Sequence, residues 1–158
     1  MCDYSLCGIP NRLAVEGEEL AIYRFSTGSI GMASLADLRV REQIKQALPK
    51  KTFWQTVKAF FEVPSQVATP PAVCVPPGAQ LTVRNIPADL QRRFRINHEE
   101  AVVFTQISSE FNSYRDALRF RADCEVRLQE LREGMTVEVL SLECTSEESP
   151  AVTIDNVV

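Results

Sequence analysis

Apolar and polar positions along this chain follow two different periods, and the changes of period divide it. In residues 19 to 25, Glu-Leu-Ala-Ile-Tyr-Arg-Phe places Leu20 and Ile22 on one face and Ala21, Tyr23 and Phe25 on the other, as a strand does. Gly28 and Gly31 bracket Ser29-Ile30, which predicts a turn with a short return strand and hence an N-terminal hairpin. The period then lengthens. Leu35, Leu38, Ile44 and Leu48 recur at near-helical spacing behind Ser34 and Asp37, which resemble a capping box, and Pro49 stops the helix. Thr52 can cap a second helix from about Phe53 to Glu62, ended by Pro64.

Residues 63 to 79 hold five of the nine prolines, a density that favours an extended connector over a helix or a central strand. Beyond it the period returns to two. Leu81 and Val83 alternate up to Pro87, and Leu90, Phe94 and Ile96 suit a helical turn across 88–96. Strands are predicted over 101–107, 117–120, 124–128 and 135–142, the last with Met135, Val137 and Val139 on one face. Leu128 to Leu131, Gly134 and Val137 to Val139 read as strand, turn and returning strand.

Together these patterns predict an α+β chain. An N-terminal hairpin with two short helices occupies residues 1–62, and a proline-rich connector 63–79. A small antiparallel β-barrel-like or sheet unit follows over 80–143, with a loose acidic tail over 144–158.

Composition narrows the classes. A chain of 158 residues with 45% hydrophobic and 24% charged content can bury a core, which excludes disorder throughout. No apolar run approaches the roughly 20 residues that span a bilayer. The opening Met1-Cys2-Asp3-Tyr4-Ser5-Leu6 lacks a basic region followed by an apolar one, so no secretory signal is expected. Five cysteines, at positions 2, 7, 74, 124 and 144, lack the density of a disulfide scaffold; reduced thiols and a cytoplasmic location are the expectation. The net charge of -4 weighs against general attraction to nucleic acid, and residues 80–133 balance nine Arg against nine acids.

Candidate chemistry is sparse. Removal of Met1 would free Cys2 as a nucleophile whose own α-amino group could act as base, the alternative reading being an N-terminal-cysteine hydrolase or amidotransferase. In this the opening resembles class II glutamine amidotransferases, which begin Met-Cys-Gly, with Asp3 here in place of the glycine. Cys2 and Cys7, joined by Cys74, Cys124 or His98, are the metal candidates, but Cys-x4-Cys is wider than most paired zinc ligands. No Walker loop, dinucleotide fingerprint or zincin helix is present, and no cofactor is expected. Arg92, Arg93, Phe94 and Arg95 interleave an aromatic with cations, a pattern that can hold single-stranded nucleic acid. Trp54, Val57, Phe60 and Phe61 share a broad apolar helix face near Lys50, Lys51 and Lys58, suited to a protein partner or to peripheral membrane contact. The leading expectation is therefore a non-enzymatic protein-binding or accessory protein, such as a small subunit of a larger complex.

The opening Met-Cys-Asp-Tyr-Ser-Leu, with the later Tyr-Arg-Asp-Ala-Leu-Arg-Phe, resembles short bacterial proteins with the same opening and no assigned function. The resemblance implies a bacterial cytoplasmic origin and carries no activity, substrate or site.

Overall fold

The alternating segments do fold as strands, but they pair into a different whole from the one expected. The computed structural model describes residues 6, 8–47, 69–107, 114–121 and 124–143. In chain order these contain β1 (Asn11–Leu13), β2 (Glu19–Arg24), β3 (Ile30–Ser34), α1 (Leu35–Ala47), β4 (Ala72–Cys74) and β5 (Gln80–Arg84). Then come α2 (Ala88–Phe94), β6 (Glu100–Gln106), β7 (Asp116–Arg119), β8 (Glu125–Arg127), a 3-10 turn at Leu128–Glu130 and β9 (Thr136–Ser141). All nine strands belong to one sheet, in the order β1-β4-β3-β2-β9-β5-β6-β7-β8. Neighbours are antiparallel except β1 and β4, which run parallel with Asn11 beside Ala72 and Leu13 beside Cys74.

This corrects the α+β expectation of a hairpin with two helices, a connector and a separate barrel. Strand β9 lies between β2 and β5, with Leu20 opposite Val137 and Val83 opposite the same Val137. The N-terminal hairpin and the β-rich segment thus share one ladder. The end of the proline-rich stretch is itself a strand: β4 is buried along its length and pairs with β1 and β3. Its prolines flank the strand and do not interrupt the ladder, which is the placement a missing N–H permits. The second predicted helix, about 53–62, lies outside the described residues.

The sheet curls around a single large core. Inward positions of β2, β3, β5, β6, β7, β8 and β9 meet in one cluster, with Leu20, Leu81, Val83, Leu118, Val126 and Val139 fully buried. Helix α2 contributes Leu90 to that core, and Phe94 and Ile96 pack against it. Where the curl brings the segment after β8 back to β3, a side chain completes the contact. The Gln129 amide donates to the Ile30 carbonyl at 2.8 Å and accepts from the Ile30 N–H at 3.0 Å.

A second, smaller apolar layer lies on the other face of β2, β3 and β4. Leu6, Ile9, Phe25, Ala33 and Ala72 are buried there, with Tyr23 and Leu38 packed against them. All five residues of β3 are consequently buried, because the strand has apolar cover on both faces. Gly31 makes the close approach feasible: a Cβ at that position would lie 2.9 Å from Leu6 Cδ1 and 3.1 Å from Phe25 Cε2. Only part of the predicted stripe on α1 faces this layer. Leu38 packs inward, whereas Ile44, like Val40, is exposed, because the buried arc of the helix runs through Leu38 and Arg41. Arg41 Nη1 donates to the Tyr23 hydroxyl at 2.8 Å beneath the helix.

Gly134 turns the chain into β9 with φ 87, a left-handed conformation open to glycine, and its N–H donates to Ile22 at 3.2 Å. The predicted strand at Leu128 to Leu131 is instead the 3-10 turn. The expectation of reduced thiols also changes. Cys74 is disulfide-bonded, while Cys124 is free. No helix among the described residues is long and apolar enough to cross a membrane.

Candidate docking groove

The outer face of the curled sheet is mostly polar, and its charges are largely matched. Arg84 bridges Glu99 at 3.0 Å and Glu138 at 2.6 Å, and the hydrogen bond to Glu99 is the first cause of its raised pKa. Arg119 Nε donates to Glu125 at 3.1 Å. Arg132 pairs with Asp89 at 2.8 Å, and that hydrogen bond holds the aspartate below its usual range. Such pairs on exposed strands and turns keep the surface wet and neutral, and each contributes little to stability.

One region departs from this pattern. Strands β5 and β9 pair Gln80 with Ser141 and Leu81 with Val139, so Leu140 has no partner in the ladder. A bulge of this kind bends its strand and re-aims a side chain. Leu140 is left 48% exposed. Beside it, Val103 stands opposite Gln80 on one flank and Arg119 on the other, and Ala101 follows on the same face. These residues and Arg121 line a groove of about 250 Å3 across β9, β5, β6 and β7.

The groove is chemically lopsided. Its floor is mostly aliphatic, with Gln80 of β5 between Leu140 and Val103. At the β7 side stand two arginines, one paired with Glu125 and the other, Arg121, exposed and without an ion pair among the described residues. Outside the groove, past Leu140 on β9, Glu16 accepts hydrogen bonds from the Leu142 N–H at 2.9 Å and the Ser141 hydroxyl at 3.4 Å. The volume falls below the roughly 300–1,000 Å3 of typical small-molecule pockets, so the groove suits side chains better than a cofactor.

The sites proposed from sequence are distributed elsewhere. Trp54, Val57, Phe60 and Phe61 lie outside the described residues, as do Cys2 and Cys7. The four residues Arg92 to Arg95 end α2, where Arg95 takes a left-handed cap conformation at φ 55. Their side chains diverge. Arg93 donates to Glu130 at 2.8 Å and lies 4.8 Å from the Phe94 ring centre, while Phe94 itself packs against the main core. Arg92 and Arg95 are exposed, as is His98. Among the described residues no group of three or more His, Cys, Asp or Glu side chains could hold a metal ion.

Sequence reading missed Leu140. The available signal was small: Val139 and Leu140 are adjacent apolar residues in a strand that otherwise alternates, and such a doubling marks either a bulge or an outward apolar side chain. Set beside known protein families, curated proteins and solved structures, the chain matches none of them.

Proposed function

We propose that this protein is a non-catalytic binding or accessory protein that docks a protein partner in the groove beside Leu140. The observation carrying this reading is the exposed leucine at a sheet bulge, lining one groove with Val103 and Ala101, on a face whose charges are largely matched. Apolar surface of this kind gains roughly 25 cal/mol per Å2 when a partner covers it. A small-subunit role fits, with Trp54, Val57, Phe60 and Phe61, which the sequence alone predicts to share an apolar helix face, as a second contact of the same kind.

Compartment enters the reading through Cys74. Disulfides persist in oxidising surroundings and are rare in a reduced cytoplasm, so the bond favours an oxidising location over the cytoplasmic one expected from cysteine spacing. Single-stranded nucleic-acid binding at Arg92–Arg95 draws less support, because Phe94 faces the core and is not presented as a stacking platform.

Co-purification from the native host tests the proposal. A companion that is retained by the wild-type chain and by Leu13→Arg, but lost from Leu140→Arg, is the expected result. Leu13 is the control because it is also exposed, on edge strand β1. A companion retained equally by all three chains would overturn the groove as the docking face.

A further inference from the structure

We infer that the groove recognises an extended acidic peptide, with aliphatic side chains at two alternate positions and a carboxylate at the next. The inference rests on the docking reading above and specifies its partner. The charge and the dimensions of the groove lead to it independently of any assigned activity.

Three inter-strand steps separate β9 from β7, through β5 and β6. At about 4.8 Å per step the groove measures roughly 14 Å from the Leu140 row to the Arg119 row. An extended segment rises about 3.3 Å per residue, so roughly four residues cross that width. Every second side chain of such a segment points the same way. The first and third residues therefore face the floor made by Leu140, Gln80, Ala101 and Val103, and the fifth reaches the arginine rim. Arg119 is already engaged by Glu125, which leaves Arg121 for an incoming carboxylate.

The test uses the full chain and three blocked pentapeptides: acetyl-Leu-Thr-Val-Thr-Glu-amide, the same peptide ending in Lys, and acetyl-Ser-Thr-Ser-Thr-Glu-amide. Titrations are followed by amide chemical shifts of Val103, Arg121 and Leu140. The first peptide is expected to bind about fivefold more tightly than the Lys version, the size that reversing one exposed ion pair produces. The serine peptide is expected not to bind. Arg121→Glu should reverse the preference between Glu and Lys peptides, and Leu140→Asp should abolish binding of both.

The outcomes separate the two claims. Equal binding of Glu and Lys peptides, lost in Leu140→Asp, overturns acidic selectivity and leaves the groove as a docking face. Shifts that leave Val103 and Leu140 unmoved, or no binding by any peptide, overturn the peptide inference. The docking reading is then judged separately by whether Leu140→Arg loses the native companion.

Discussion

Replacing Gln129 by alanine should show how far one side chain holds the curled sheet together. The hairpin register places Arg24 opposite Ile30, while the Phe25 N–H donates to the Ser29 carbonyl at 2.9 Å. In an antiparallel ladder the hydrogen-bonded pairs alternate, so both backbone polar groups of Ile30 point away from β2. Gln129 meets both, from 99 residues along the chain, at 3.0 and 2.8 Å. Each such bond contributes a net ~0.5–1.5 kcal/mol, and a buried group left without a partner costs ~1–3 kcal/mol. Ile30 is only 3% exposed, but Gln129 is half-buried, so water can replace part of what is lost. The expected loss for Gln129→Ala is about 2–4 kcal/mol, or roughly 5–15 °C in Tm. Urea unfolding with a shared m-value measures the first, and the hydrogen exchange rate of the Ile30 amide gives an independent local readout. A loss below about 0.5 kcal/mol with the Ile30 amide still protected would falsify the role given to this contact.

Three further outcomes are expected. Gly31→Ala should cost about 1–3 kcal/mol in urea unfolding, because its Cβ meets Leu6 and Phe25; pairing it with Leu6→Ala should be less than additive, and full additivity would count against the clash. Glu18 is held below its ordinary carboxyl value of 4.5, first by its hydrogen bond to Arg12 and against the opposing effect of burial. Because its folded value is depressed, its stabilising contribution is complete above that ordinary value and lost as pH falls through the folded one. Between pH 7 and pH 3 the wild type should therefore lose more stability than Glu18→Gln, and equal losses would refute the assignment. Finally, thiol titration of the unreduced, denatured chain should find at most three of the five cysteines reactive, since one disulfide consumes two. A count of five would remove the bond at Cys74.

The division of labour between sequence and fold is visible in particular residues. Sequence alone marked most of the extended segments, though not β1 or β4, and many of the side chains that enter the core. Leu81, Val83 and Val137 stand between polar neighbours, Leu20 and Ile22 share one strand face, Met135 and Val139 share another with Val137, and all seven are buried. Local chemistry also marked the turn at Gly134 and the helical turn around Leu90. Those features depend on near neighbours, which a linear reading contains.

Only the tertiary structure decided which strand lies beside which. The pairing of Leu20 with Val137 joins residues more than a hundred positions apart, and nothing in either segment names its partner. The same holds for β4, which flanking prolines disguised as connector, and for Gln129, a polar side chain whose value lies wholly in reaching Ile30. The groove is a consequence of that pairing. A leucine one place after Val139 means little in the sequence, but a bulge against β5 leaves it unpartnered beside Val103 and within the same groove as Arg121. Strand alternation is set by backbone geometry, residue by residue. Register and neighbour choice are set by the burial of the whole sheet, and that information exists only once the chain has closed on itself.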